Sequence, residues 1–417
     1  MIRRRPLGAL GAPAALGLVL ALAPAPLARG ESDDEALIAR SSFASFVRRV
    51  EGRGGRMALV DALLASHDTL PIVEGEQLVH FVYRGEARRV ELRGSMTGSA
   101  PGDPGHPMRR LQGTDLFYRS YRVPSETRWD YRFVVDGRPQ LDPGNPSIAP
   151  GRHGQGRVSV LRMPESREPG HLAEPVGRLR GRVEQTVVES AALASRRRMA
   201  VYLPAGYASV GDRYPLLVVA DGLVALRAGR YANTLDNLVH DTLTPIVAVF
   251  VEGRDRTELH GAAAPRYARL LAEELLPLVE SRYHAGGTPG MRALHGADFA
   301  AVAALYTALH FPGTYGRLAL QSPPLGPLWG ETLLEKAGDP AQPRIDLYLD
   351  WGRWEFRSER EGFDRREDAR RLVGRLRSRG QGYHGGELPE GSGWGAWRGR
   401  THRILEAFFP RRVAGRP

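Results

Sequence analysis

"LHGADFAAVAAL", Leu294 to Leu305, poses the question on which the reading of the whole chain turns. The preceding "MRA" and Leu294–His295 run like a strand, and an alanine-rich helical pattern begins at Phe299. Gly296 and Ala300 flank the apex, and small residues there let a helix pass close to the strand it follows. The apex is Asp298, a residue type that tolerates positive φ better than most. This unit has the geometry of a Gly-x-Ser-x-Gly elbow with a carboxylate where the serine would stand.

The surroundings repeat the strand–helix alternation. "YPLLVVADG" (214–222) and "TPIVAVFVEG" (244–253) are nearly continuous apolar runs, as parallel strands buried on both faces require. "RYANTLDNLVHDT" between them, "ARLLAEELLPLVESRY" and "AAVAALYTALHF" have helical periodicity, and "RIDLYLDWG" is another buried strand. The alternation predicts a doubly wound parallel sheet over residues 183–411.

The first half of the chain reads differently. Residues 33–76 have helical spacing, with Leu37, Phe43, Phe46 and Val47 in one run and Leu59, Leu63 and Leu64 in the next. Residues 77–165 hold short alternating runs separated by turns, including "DYRFVVDGRPQLDP" with its Asp-Gly hairpin signal. That pattern predicts an all-β immunoglobulin-like sandwich. At the N-terminus, Arg3–Arg5 precede the apolar "LGALGAPAALGLVLALAPA" and then the acidic "ESDDE". Residues 1–28 are therefore expected to be a signal peptide, the mature protein exported to the periplasm or beyond, with no stable transmembrane span after cleavage.

Residues 183–410 resemble the enterochelin-esterase-like branch of the α/β-hydrolases, related to esterase D. The resemblance rests on "YPLLVVADG", "LAEELLPLVESRY", "ALHGADFAAVAALYTALHFPGTYGRLALQSP", "LYLDWGRWE" and "GSGWGAWR". Residues 79–146 resemble the early-set module that precedes many carbohydrate-active and esterase domains. The resemblance implies a Ser–His–acid triad and places its serine on Asp298. It places the acid on Glu355, with Asp350 as second choice, and the histidine on Ser392 in "EGSGWGAWR". The oxyanion-hole amides map to Leu223 and Phe299.

Two of three triad positions are thus substituted. A hydroxyl at Ser392 has no useful proton affinity near neutral pH, and a serine mechanism needs a base. The expectation is a binding pseudoenzyme with a small-molecule or glycan ligand. The alternatives are a hydrolase using Asp298 in a non-standard centre and an envelope structural protein. His295 beside the elbow, His384 before the motif loop and His402 after it are the histidines weighed as a replacement base, and His295 reads as structural. A buried, unpaired Asp298 is expected to have a raised pKa, so that Asp298→Asn leaves folding intact or improves it. Arg256 and Glu258 in "RDRTELHGAA" line a pocket or form a solvated loop. Asp221 reads as a turn or cap residue, and "RSEREGFDRREDARRLVGRLRSRG" as a solvated helix.

Composition narrows the partners. The 417 residues contain no cysteine, which removes disulfides and thiolate metal sites. The net charge of +11 comes almost wholly from arginine, Lys336 being the one lysine. The basic residues form no block interleaved with aromatics, so nucleic acid is not an expected partner. No cofactor is expected, since the sequence has neither metal-ligand spacing nor a phosphate-cradling glycine loop. Only Trp129 is available in the β-module for stacking on a glycan, which favours a packing role for that module.

Overall fold

The computed structural model describes residues 29–411, except 53, 99–102, 152–155, 327–329 and 359–362. The expected signal peptide lies outside the described residues. Among them, no helix is long and apolar enough to cross a membrane.

Eight strands form the large sheet: β1 Arg182–Ser190, β2 Ser195–Leu203, β3 Leu216–Val219, β4 Val247–Val251, β5 Arg292–Ala297, β6 Arg317–Gln321, β7 Asp346–Trp354 and β8 His384–Gly391. Their order is β1-β2-β4-β3-β5-β6-β7-β8. β2 runs antiparallel to β1 and β4, and every other pair is parallel. This is the expected α/β doubly wound sheet. The apolar runs work because both faces are covered. Leu216 and Val218 of β3 enter one core layer, and Leu217 and Val219 enter the other. Val247, Val249 and Val251 of β4 likewise oppose Ala248 and Phe250. The first layer packs under the helices Phe299–His310 and Arg365–Ser378, and the second under Tyr231–Leu238 and Trp394–Phe408.

The run 264–282 contains wider, π-type turns over Leu270–Leu275. They precede Pro277, which cannot donate a backbone hydrogen bond into the preceding turn.

The N-terminal part is a β-sandwich flanked by helices. One sheet contains Ile72–Glu74, Leu78–Arg84, Leu116–Arg122 and Arg109–Arg110, so pairing already starts ahead of residue 77. The other is centred on Val90–Gly94, Arg128–Val135 and Arg157–Arg162. Phe81, Leu92, Trp129, Tyr131 and Phe133 fill the space between them. The helices Ser42–Glu51 and Arg56–Ala65 pack Phe43, Phe46, Val50 and Val60 against Val82 and Leu116.

This sandwich leans on the loops at the carboxyl end of the large sheet. Trp129, 2% exposed, meets Trp354 edge-on with ring centres 5.2 Å apart. Gly98 O accepts from Arg357 N at 2.6 Å. A Cβ on Gly391 would stand 2.5 Å from Ser95 Oγ. Trp354 and Gly391 are the sequence neighbours of Glu355 and Ser392. The module therefore buttresses the two loops to which the family resemblance assigns the acid and the base. Trp129 is spent on that contact and offers no open face to a sugar.

Candidate functional site

Asp298 stands between β5 and the helix Phe299–His310 with φ 56° and ψ −130°. Such a conformation in a residue other than glycine costs on the order of 1–3 kcal/mol and persists only where the surroundings enforce it. Here the enforcement is visible. Asp298 N donates to Gln321 O at 3.0 Å, and Ala301 N donates back to Asp298 O at 2.9 Å. A Cβ on Gly296 would overlap Ala300 O and lie 2.6 Å from Ala301 N, so the helix crosses the strand where only glycine fits. The strained elbow thus carries a carboxylate at its apex.

The apex carboxylate is engaged. Asp298 is 6% exposed, and its Oδ1 accepts from Arg365 Nη1 at 2.5 Å. Arg365 is itself 5% exposed, seated among the rings of Phe299, Phe356 and Phe363 at 5.4, 5.6 and 6.0 Å. Two expectations change here. Asp298 is paired, which removes the basis for a carboxylate raised by burial alone. The run read as a solvated helix forms one only from Arg365, and that first helical residue enters the site, with Asp368 one turn on also buried. Arg365 follows the N-cap Asp364, which accepts from Arg366 N and Glu367 N at 2.9 and 3.2 Å. A cation in the first turn opposes the helix dipole. That misplacement is the sequence signal that would have marked Arg365.

Glu355 follows β7 and is 4% exposed. Its Oε1 accepts from Ser322 Oγ at 2.5 Å and Gly352 N at 2.8 Å. Its Oε2 is buried and has no hydrogen-bond partner among the described residues. Ser322 also accepts from Trp397 Nε1 at 3.0 Å and Arg400 Nη2 at 3.2 Å. Ser392, between β8 and the helix Trp394–Phe408, is half-buried and makes no hydrogen bond among the described residues. Asp350, the second choice for the acid, is fully buried within β7. It accepts from Tyr348 Oη at 2.9 Å and Gln321 Nε2 at 3.3 Å and faces Arg400 Nε at 3.5 Å. Burial raises its pKa.

Leu223 and Phe299 lie in the first turns of helices that start from the neighbouring strands β3 and β5. First-turn amides lack partners inside their own helix, which is the property an oxyanion hole needs. Asp221, just before Leu223, has φ 50° and accepts from Gly253 N. Burial, with the nearby Asp298 charge adding to it, pushes its carboxyl up to about 7.

The histidines divide clearly. His295 is fully buried, facing Tyr231 Oη at 2.6 Å and Gln321 Oε1 at 3.2 Å, and burial lowers its pKa to about 4. His384 starts β8, 3.5 Å from Asp346, at the opposite end of the sheet from the elbow. His402 packs against His171 with ring centres 4.6 Å apart. A further histidine near the elbow, which sequence reasoning passed over, is His260, whose ring lies 4.3 Å from that of Phe299. Burial lowers its pKa, keeping it neutral at neutral pH. Arg256 lies over the same ring at 4.2 Å. Glu258 turns away to the buried Arg197 at 2.6 Å, so the two residues of that loop separate in role.

Comparison with known proteins matches this geometry. A family model described as "Putative esterase" covers residues 190–408. The chain belongs to this esterase family. Its fold is that of the enterobactin esterase of Shigella flexneri, solved in the presence of enterobactin: 20% identity, TM-score 0.66, covering 84% of this chain and 97% of that one. The ferric enterobactin esterase of Salmonella typhimurium is similar at 18% identity and TM-score 0.68, with 84% and 98% covered. An uncharacterized protein of Bacillus subtilis (strain 168), YjcH, is 27% identical over 150 residues. That match spans 34% of this chain and 62% of YjcH.

Proposed function

We propose that this esterase-family protein does not hydrolyse esters and instead binds a small molecule in the cleft above the carboxyl ends of β3, β5 and β7. The carrying observation is the Asp298–Arg365 pair at 2.5 Å. A carboxylate held by a buried guanidinium is a poor nucleophile, because attack would strip the cation of its partner. The loop at Ser392 brings no imidazole, and the orphaned Glu355 Oε2 is what a triad acid leaves behind when its histidine is gone. The first-turn amides of Leu223 and Phe299, with Arg256 over the Phe299 ring, supply donors for a bound ligand. Arg3–Arg5 and the apolar stretch behind them support export to the periplasm or exterior.

His260 favours a second reading, a hydrolase in which Asp298 attacks and a neutral imidazole at His260 activates water. One measurement separates the two. Hydrolysis of short-chain aryl esters by the wild type is expected to equal that of Asp298→Ala and His260→Ala. Wild-type turnover that both variants abolish overturns the binding reading.

A further inference from the structure

We propose that the end of the sheet opposite the elbow carries a second small-molecule site, which takes a small aromatic or short-chain alkyl carboxylate. A cavity of about 120 Å³ opens there between the far end of the helix Phe299–His310 and the helix Arg365–Ser378. Leu305, Leu309, Leu318, Leu347 and Leu376 wall it. An apolar cavity of roughly 150 Å³ encloses one benzene molecule. This one is somewhat smaller but open on one side, which suits a single ring or a short alkyl chain with its polar end at the mouth. The site lies at the amino ends of β6 and β7, roughly 15 Å along the sheet from the carboxyl ends where Asp298 stands.

Charge at the mouth sets the ligand class. Arg344 and Arg379 both line the opening. Arg379 is held in place by donating Nε to Ala337 O at 2.7 Å and Nη1 to Gln342 O at 3.0 Å. Arg344 Nη2 hangs beside Gly380, 3.3 Å from where a Cβ would stand, and its charge is near enough to act on Arg379 unfavourably. Neither forms an ion pair among the described residues. Asp339, the acid that acts on Arg379, spends its Oδ1 on Ala341 N at 2.9 Å. Two neighbouring cations over an apolar pocket repel each other until an anion sits between them, and a carboxylate with an apolar tail satisfies both features at once.

The test is fluorine NMR on the full chain with 4-fluorobenzoate, and with 4-fluorobenzyl alcohol as the neutral counterpart. Benzoate is expected to bind with a Kd of about 1 mM or tighter. Arg344→Gln, which removes no hydrogen bond within the protein, is expected to weaken benzoate at least about tenfold and leave the alcohol unchanged. Ala308→Phe, or Ala308→Leu where the larger ring is not tolerated, fills the cavity and is expected to abolish both. Arg256→Gln, in the distant cleft, is expected to change neither. Absence of binding overturns the site. So does binding indifferent to Arg344→Gln and to filling at Ala308, or binding lost only with Arg256→Gln, which would place the anion in the elbow cleft.

Discussion

Asp298 and Arg365 lie 67 residues apart and form a 2.5 Å ion pair in which both partners are almost wholly buried. Removing one partner leaves the other charged and desolvated. Asp298→Ala is therefore expected to cost about 3–5 kcal/mol. Arg365→Met alone is expected to cost a similar amount, and the double variant much less than the sum, because no unpaired charge remains. Thermal and urea unfolding of the four proteins checks this. Strictly additive losses would show that the pair contributes no coupling.

Glu355 Oε2 has no hydrogen-bond partner among the described residues, and Ser392 stands on the loop where the resemblance expects an imidazole. Installing both groups together, Asp298→Ser with Ser392→His and with Arg365→Met so that no unpaired buried cation remains, is expected to create aryl-ester turnover at least about 10²-fold above wild type, the usual contribution of a positioned base. Each single change is expected to give none. Glu355→Gln added to this variant is expected to lower the new activity, since the acid orients the imidazole. A variant that folds yet stays inactive would show that the cleft lacks more than these two groups.

The elbow was legible because its cause is local. Gly296 and Ala300 must be small wherever a helix crosses its own strand, and that constraint prints directly into the sequence. The strands were legible for a related reason: Leu216 to Val219 alternate between two buried layers and leave no room for a polar residue. The partners of Asp298 were not legible. Arg365 comes to Asp298 from the first turn of the helix after β7, and His260 comes to the Phe299 ring from the loop after β4, and no sequence spacing encodes either meeting. Arg365 sat in a run of alternating charges that reads as solvent-facing throughout. Its unfavourable place in the first turn of a helix was the single local cue.

Asp221 gives a pH prediction whose sign is fixed by its raised pKa. The folded protein holds the proton up to about 7, against 3.8 for the unstructured chain. The folded state thus binds more protons between those values, and this group's contribution is fully present below pH 4 and lost as pH rises toward 7. Asp221→Asn, which keeps an acceptor for Gly253 N, removes that loss. Its stability relative to wild type is expected to rise from pH 4 to 7 and then level off, reaching on the order of 1–3 kcal/mol. A Tm difference between the two proteins that stays flat from pH 4 to 8 would rule out a protonated Asp221.

Trp129 and Trp354 tie the β-sandwich to the loop that carries Glu355, edge to face at 5.2 Å. Trp129 is buried from both sides, by its own sheet and by the esterase domain, so its loss opens a cavity at their junction. Trp129→Ala is expected to destabilise the protein by about 3–5 kcal/mol. Trp354, the half-buried partner, is the better probe of docking. Trp354→Ala is expected to cost less and to separate one unfolding transition into two, since the contact between the two parts weakens while each core stays whole. Calorimetry reads both outcomes. A single cooperative transition in Trp354→Ala at the wild-type temperature would show that the contacts of Gly98 and Ser95 hold the two parts together without the aromatic pair.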